Sequence, residues 1–166
     1  MILAKSEKDL FKFFDKHNIK YKNHKHNRIF TTKDRIEIDT PIPGAHTKNL
    51  FLRNKSGDFW LISMLHERLD IKKFQQIVDS GKLSFASPQM LMEKLGIEPG
   101  SVTPFALLNQ TSQGIAVILD EKMMEHETLN FHPMRNDMTT SVSKDDFIKF
   151  VKLCGHTPAI IDLPKI

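Results

Sequence analysis

Residues 41–64 read PIPGAHTKNLFLRNKSGDFWLISM and carry the clearest strand signal in the chain. Two apolar runs, at residues 50–52 and 59–62, are joined by the polar residues 54–58, which include a glycine. Apolar runs joined by a short turn of this composition are typical of a β-hairpin. We therefore predict a hairpin here, with Lys48 and Asn49 directly before its first apolar run.

Helix signals occur on both sides of this hairpin. Ser6 and Asp9 form a capping-box pattern, and apolar residues then recur at helical spacing, which predicts a helix over residues 6–17. Serine or aspartate caps followed by apolar stripes and a glycine predict three more helices, over residues 70–80, 87–96 and 143–155. A short polar helix is also expected over residues 32–38.

The remaining apolar runs are interpreted as strands. They predict a hairpin of residues 105–108 with 115–119, a hairpin of residues 128–132 with 138–142, and single strands at residues 19–26 and 159–161. Because hairpins join most strands and helices do not alternate strictly with them, we predict an α/β fold of the α+β kind. Its sheet would be mixed, largely antiparallel and covered by helices, and a doubly wound parallel sheet is less expected.

Length and composition favour one compact domain over residues 1–166. With 166 residues and 40% hydrophobic content, the chain can bury a core without a metal or a disulfide. There is no signal peptide pattern and no apolar run long enough to span a membrane, so we expect a cytoplasmic protein without a membrane partner. A net charge of +4 is compatible with a polyanionic partner.

The motifs of common catalytic centres are absent from the sequence. The eight histidines do not fall in a zinc-binding pattern, and the single cysteine, Cys154, is expected to be a buried thiol. Neither a G-x-S-x-G elbow nor a phosphate-binding P-loop occurs. We therefore expect no metal and no cofactor, and an enzyme of this sequence would work without a standard nucleophile.

Lys48 and Asn49 are polar residues at the start of the predicted strand. Strand alternation places Lys48 on one face with Leu50, and Asn49 on the other face with Phe51. One interpretation is a lysine whose amine simply reaches water at the strand end, because lysine is rarely buried. The other is a functional cation that holds an anion or a carbonyl oxygen.

Two further positions have both a functional and an ordinary interpretation. His132 lies where a predicted strand meets a turn, so its ring could face a cleft or could be a plain turn residue. Gly100 and Pro104 frame a loop that could present N–H groups to a developing negative charge, or could be a strand-entry turn.

Three stretches together resemble a known family. GAHTKNLFLRNKSGDFWLISM, GKLSFASPQMLMEKLGIEPGSVTPFALLN and HETLNFHPMRNDMTTSVS are similar to the freestanding editing domains related to the insertion domain of bacterial prolyl-tRNA synthetase, the YbaK-like group. Within that group they look most like the Ala-tRNA(Pro) deacylases known as ProXp-ala. The resemblance runs in order from about residue 20 to about residue 163 and implies a mixed, barrel-like sheet with helices.

The resemblance also implies roles for individual residues. Catalytic positions carried over from the family motifs are Lys48, Asn49, His132, Gly100, Ser101 and Val102. Substrate-binding positions are Thr47, Leu50 and Pro104, and positions that contact the tRNA acceptor stem are Arg53 and Lys82. Relatives commonly carry an arginine at the position of Lys82, and arginine and lysine engage phosphates with different geometry.

The activity implied by the resemblance is hydrolysis of the ester that joins alanine to tRNA(Pro). Water would attack with help from the substrate's ribose hydroxyl and from loop N–H groups, and proline would be excluded by size. The implied partners are the tRNA(Pro) acceptor stem carrying alanine and, as a candidate, prolyl-tRNA synthetase. Two alternatives stay open: a sibling deacylase for Cys- or Ser-charged tRNA, and a non-catalytic module that binds tRNA or a synthetase.

Overall fold

The computed structural model of the chain describes residues 4–26 and 42–166, so the polar helix predicted over residues 32–38 lies outside the described residues. These ranges form four α-helices: α1 (Glu7–Lys16), α2 (Ile71–Val78), α3 (Pro88–Leu95) and α4 (Lys144–Leu153). They also form eight strands: β1 (Tyr21–Lys25), β2 (Ala45–Arg53), β3 (Phe59–Leu65), β4 (Ser84–Phe85), β5 (Ala116–Asp120), β6 (Thr128–Phe131), β7 (Met138–Ser143) and β8 (Ala159–Ile161). Within the described ranges, no helix has the length and apolar character needed to cross a membrane.

The four helices begin at the capping residues that the sequence predicts. Ser6 accepts a hydrogen bond from the amide of Asp9, and the Asp9 side chain accepts one from the Ser6 backbone, which completes the capping box. Asp70, Ser87 and Ser143 each accept from the amide three residues further on. Such caps stabilise a helix because the first amides have no partner inside it. The four helix predictions over the described residues are confirmed.

The strands form one mixed sheet with β2 near its centre. Its order is β1-β7-β6-β2-β3-β5-β8, and β4 pairs with β2 off this path. The predicted hairpins β2–β3 and β6–β7 are both present and antiparallel. The pairs β2–β6, β3–β5 and β5–β8 are parallel. The prediction of a mixed sheet covered by helices is therefore confirmed.

One predicted hairpin is wrong. Residues 105–108 do not form a strand that pairs with residues 115–119, because Pro104–Leu108 is a 3₁₀ helix. Only the second run becomes a strand, β5, and it lies parallel to β3 rather than antiparallel to its neighbour in sequence.

Local chemistry explains why the first of these runs is helical. Thr103 caps the turn by accepting a hydrogen bond from the Phe105 amide at 3.2 Å. Pro104 follows at the first helical position, where its fixed φ and missing N–H suit a helix start. The side-chain amide of Asn109 donates to the carbonyl of Leu95 at 2.9 Å and so ties the turn to α3.

Hydrophobic cores lie on both faces of the sheet. The first core contains Phe51, Phe105 and Phe150 and is covered by α1 and α4. The second core contains Leu52 and Phe74 and is covered by α2. Because Phe51 and Leu52 are consecutive in β2, the strand is packed on both sides, which gives its side chains well-defined positions.

The buried His156 predicts a loss of stability in mild acid. Its Nε2 lies 3.2 Å from Ser112 Oγ, and burial lowers the pKa of the ring below its ordinary value. The unfolded chain then binds the proton more readily, so the free energy of unfolding should fall as the pH drops below about 6.5. Urea unfolding at pH 7.5 and pH 5.5 measures this loss, which should be smaller in His156→Gln. An equal loss in the unmodified protein and in His156→Gln would contradict the prediction. The control is His126→Gln, at an exposed position, which should lose as much stability as the unmodified protein.

Candidate active site

The edge of β2 that faces away from β3 has a gap in its pairing. On that edge β2 pairs with β6 only at Ala45 and His46, and with β4 only at Leu52 and Arg53. Between these pairs, residues 47–51 have no strand partner on this edge within the described part of the chain. Lys48 and Asn49 lie in this segment of β2, which has a strand neighbour only on its β3 edge within the described residues.

Lys48 lies on the face of the second core, beside a cavity. Its Nζ donates a hydrogen bond to the carbonyl oxygen of Glu67 at 3.1 Å. Lys48 and Leu50 line a cavity of about 540 Å³ together with Arg68, Lys72 and Phe85. Lys48 is half-buried and lies three residues after the start of β2, and its hydrogen bond to Glu67 is at the surface.

Asn49 and Thr47 point to the opposite face of the same strand. Asn49 Oδ1 accepts a hydrogen bond from Ser63 Oγ at 2.6 Å, across the β2–β3 pair. The Thr47 side chain is buried, and its Oγ1 donates to the carbonyl oxygen of Asn130 at 2.6 Å. Lys48 and Asn49 therefore project to opposite faces of β2, as strand alternation predicts.

His132 follows β6 directly and is buried, with 4% of its surface exposed. Its Nδ1 lies 2.9 Å from the carbonyl oxygen of Met138, across the β6–β7 hairpin. Because a carbonyl can only accept, Nδ1 carries the proton and donates it to Met138. The interpretation of His132 as a plain solvated turn residue does not fit this burial.

The loop from Gly100 to Pro104 is tightly bent and partly buried. Gly100 has φ of 89°, a left-handed conformation that favours glycine. The amide of Ser101 donates to the carbonyl of Glu98 at 3.1 Å, so this amide is already used within the loop. Val102 forms no amide hydrogen bond to another residue of the described ranges.

The described contacts divide the predicted site into two groups. Thr47 contacts Asn130, two residues before His132 in sequence, and the loop reaches the same region because Phe105 packs on Phe131 at a centroid distance of 5.3 Å. Lys48 and Leu50 lie on the other face, and neither His132 nor the loop lines their cavity. Within the described residues, the two groups therefore do not line one common pocket.

A comparison with known protein families identifies the family of the chain. A profile of the aminoacyl-tRNA editing domain matches residues 31–150, which is more than half of the chain. The chain belongs to this family. An aminoacyl-tRNA editing domain is a deacylase that hydrolyses the ester between an amino acid and tRNA, so the chain is an enzyme of this class.

Individual relatives agree with the family. The prolyl-tRNA synthetase associated domain-containing protein 1 of Bos taurus is 38% identical over 147 residues, covering 84% of this chain and 85% of that protein. The prolyl-tRNA editing protein ProX of Acetoanaerobium sticklandii is 31% identical over 151 residues, covering 90% and 92%. A crystal structure of a protein proposed to be a trans-editing enzyme for prolyl tRNA synthetase has a TM-score of 0.71 at 18% identity, covering 99% of this chain and 100% of that chain. This last likeness shows the shared fold.

The residues predicted to contact tRNA lie beside β4. Arg53 is the register partner of Ser84, and Lys82 is exposed two residues before Ser84. The Arg53 side chain alternates with those of Leu50 and Leu52 along β2, so it projects towards the face opposite the Lys48 cavity, and Lys82 lies in the bend that precedes β4.

Sequence reasoning missed Arg68 and Phe85 on the cavity wall. Phe85 belongs to a two-residue strand, and no periodicity in so short a segment separates an exposed ring from a buried one. Arg68 lies in the connection between β3 and α2, where a lone arginine is an ordinary solvated residue.

The described part of the editing domain offers neither a reactive thiol nor a metal site. Burial raises the pKa of the Cys154 thiol to about 12, so almost no thiolate forms at neutral pH. Among residues 4–26 and 42–166, no group of three or more histidine, cysteine or acidic side chains is arranged to hold a metal ion.

Proposed function

We propose that the chain is a trans-editing deacylase that hydrolyses the ester of mischarged Ala-tRNA(Pro). The family is an editing family, and both curated relatives named above carry prolyl-tRNA in their names. The observation that carries the proposal is the position of Lys48, whose amine lies at the wall of a cavity of about 540 Å³ and donates to the carbonyl oxygen of Glu67. We place the enzyme in the cytoplasm, with prolyl-tRNA synthetase as a candidate partner.

The reaction needs positioning more than a strong nucleophile, because an aminoacyl ester is already activated. In the proposed mechanism a water oxygen attacks the ester carbonyl carbon, and the ribose hydroxyl beside the ester assists. The C–O bond to the ribose then breaks, and the ribose oxygen takes up the proton that the water loses. The alanine leaves as the free amino acid.

The side chains and amides of the protein would orient the substrate and stabilise the charge that develops on it. Lys48 would hold the terminal ribose or its phosphate as a cation, with Thr47, Asn49 and His132 forming the opposite wall. The amides of Gly100 and Val102 would receive the negative charge that develops on the carbonyl oxygen. The Ser101 amide is left out of this role, because it already donates to Glu98.

Selection would rest on size. A small pocket would admit the methyl group of alanine and exclude the ring of proline, and Leu50, which lines the cavity beside Lys48, is the candidate for its wall. The synthetic site of a synthetase cannot strongly reject an amino acid that is smaller than its correct substrate. A second site that excludes the correct amino acid by size can therefore hydrolyse the mischarged product selectively. Arg53 and Lys82 would hold the acceptor stem through its phosphates.

A panel of charged tRNAs tests this proposal. The purified protein should release alanine from Ala-tRNA(Pro) at least about tenfold faster than proline from Pro-tRNA(Pro). Cys-tRNA(Pro) and Ser-tRNA(Pro) are assayed in parallel by the same release of labelled amino acid. Faster release of cysteine or serine would favour a sibling deacylase, and tRNA binding without release of any amino acid would favour a non-catalytic module.

A further inference from the structure

The cavity beside Lys48 has an aromatic wall that the proposed mechanism does not use. Phe85 is 63% exposed, and its neighbours in the cavity include Arg68 and Lys72. Exposed aromatic rings among cations are typical of sites that bind single-stranded nucleic acid, because bases stack on the ring while the cations hold the backbone. We propose that Phe85 is the stacking platform for an unpaired base of the tRNA 3′ end. This inference rests on the proposed function for its occupant, the acceptor end.

The ring is held in a defined position on the same face as Lys48. Phe85 is the register partner of Leu52 in the β2–β4 pair, and paired residues project to the same face. Leu52, Leu50 and Lys48 alternate along β2 and share that face. The Ala86 amide donates to the carbonyl of Phe51 at 2.9 Å, which fixes the strand beside the ring.

The spacing identifies which base is stacked. Leu52 and Lys48 are four residues apart in β2, a separation of about 13 Å at about 3.3 Å per residue. If the terminal adenosine lies at Lys48, its own base does not need to reach Phe85. This spacing favours one of the two cytosines that precede the terminal adenosine in the CCA end of tRNA as the base on Phe85.

The charges around the ring suit a nucleic acid strand. Among the side chains that line the cavity, three are cationic, Lys48, Arg68 and Lys72, and one is acidic, Asp70; the terminal residue Ile166 also lines it. Asp70 is the N-cap of α2, and its Oδ1 accepts a hydrogen bond from the Lys73 amide at 3.2 Å. This carboxylate is therefore engaged with the helix, and the excess of positive charge faces the cavity.

Binding of an uncharged RNA hairpin that ends in unpaired CCA tests the platform. Phe85→Leu should weaken binding about tenfold, because it keeps an apolar side chain but loses the stacking surface. Phe85→Tyr should bind like the unmodified protein. Leu153→Ala, which removes an exposed apolar side chain on α4, is the control and should change nothing. Fluorescence anisotropy with a labelled hairpin gives the dissociation constants.

A second RNA makes the test specific to stacking. When both cytidines are replaced by abasic nucleotides, the unmodified protein and Phe85→Leu should bind equally weakly. Equal weakening of both RNAs by Phe85→Leu, or no weakening of either, would overturn the proposal. The RNA carries no amino acid, so this binding test does not depend on the proposed reaction. If the protein shows this binding pattern but does not deacylate Ala-tRNA(Pro), the proposed reaction is refuted and the stacking site is still supported.

Discussion

Replacing Lys48 by alanine is expected to lower kcat/KM for deacylation of Ala-tRNA(Pro) by about 100- to 1,000-fold, the usual loss when one preorganised charge or donor is removed. The Lys48 amine is held at the wall of a cavity by its hydrogen bond to Glu67, so its position is set before substrate binds. A small side chain there would remove both the cation and that contact. Single-turnover release of labelled alanine measures the effect.

Two variants separate the charge of Lys48 from its shape. Lys48→Arg keeps a cation but changes its geometry, and we expect it to recover only part of the activity. Lys55→Ala removes an exposed lysine in the β2–β3 turn and should leave the rate unchanged. An unchanged rate in Lys48→Ala, with the thermal midpoint also unchanged, would remove this lysine from the mechanism.

The elements that could be predicted from the sequence are those set by neighbouring residues. The helix caps at Ser6 and Ser143 and the turn between β2 and β3 depend on contacts within a few positions. The alternation that separates Lys48 from Asn49 is equally local. These predictions needed no knowledge of the rest of the chain.

The features that the sequence did not show depend on contacts between distant segments. An apolar run as short as residues 105–108 fits a strand or a buried helix, and here the contact between Asn109 and Leu95 holds the helical turn. The parallel pairing of β3 with β5 is also set by the whole sheet. The gap in β2 exists because β4 and β6 stop short of each other, and nothing within residues 45–53 reveals it.

The largest loss of stability is expected from Phe105→Ala. Phe105 is fully buried, and its ring packs edge-on against Phe14, Phe131 and Phe150 at centroid distances of 5.4, 5.3 and 5.5 Å. Removing it would leave a cavity among three aromatic rings, at a cost of about 3–5 kcal/mol. That is a large share of the stability of an ordinary domain. Urea unfolding at pH 7.5 measures it.

An exposed phenylalanine is the matched control for this change. Phe85→Ala removes the same ring from a largely exposed position, so its cost should stay within about 0.5 kcal/mol. A similar cost for both variants would contradict the assignment of Phe105 to the centre of the first core.

Because Phe105 follows Pro104 and packs on the residue before His132, Phe105→Leu should also slow deacylation at temperatures where it stays folded. The loop and the histidine are then coupled through one buried ring, and a Phe105→Leu protein that is fully folded and fully active would disprove that coupling.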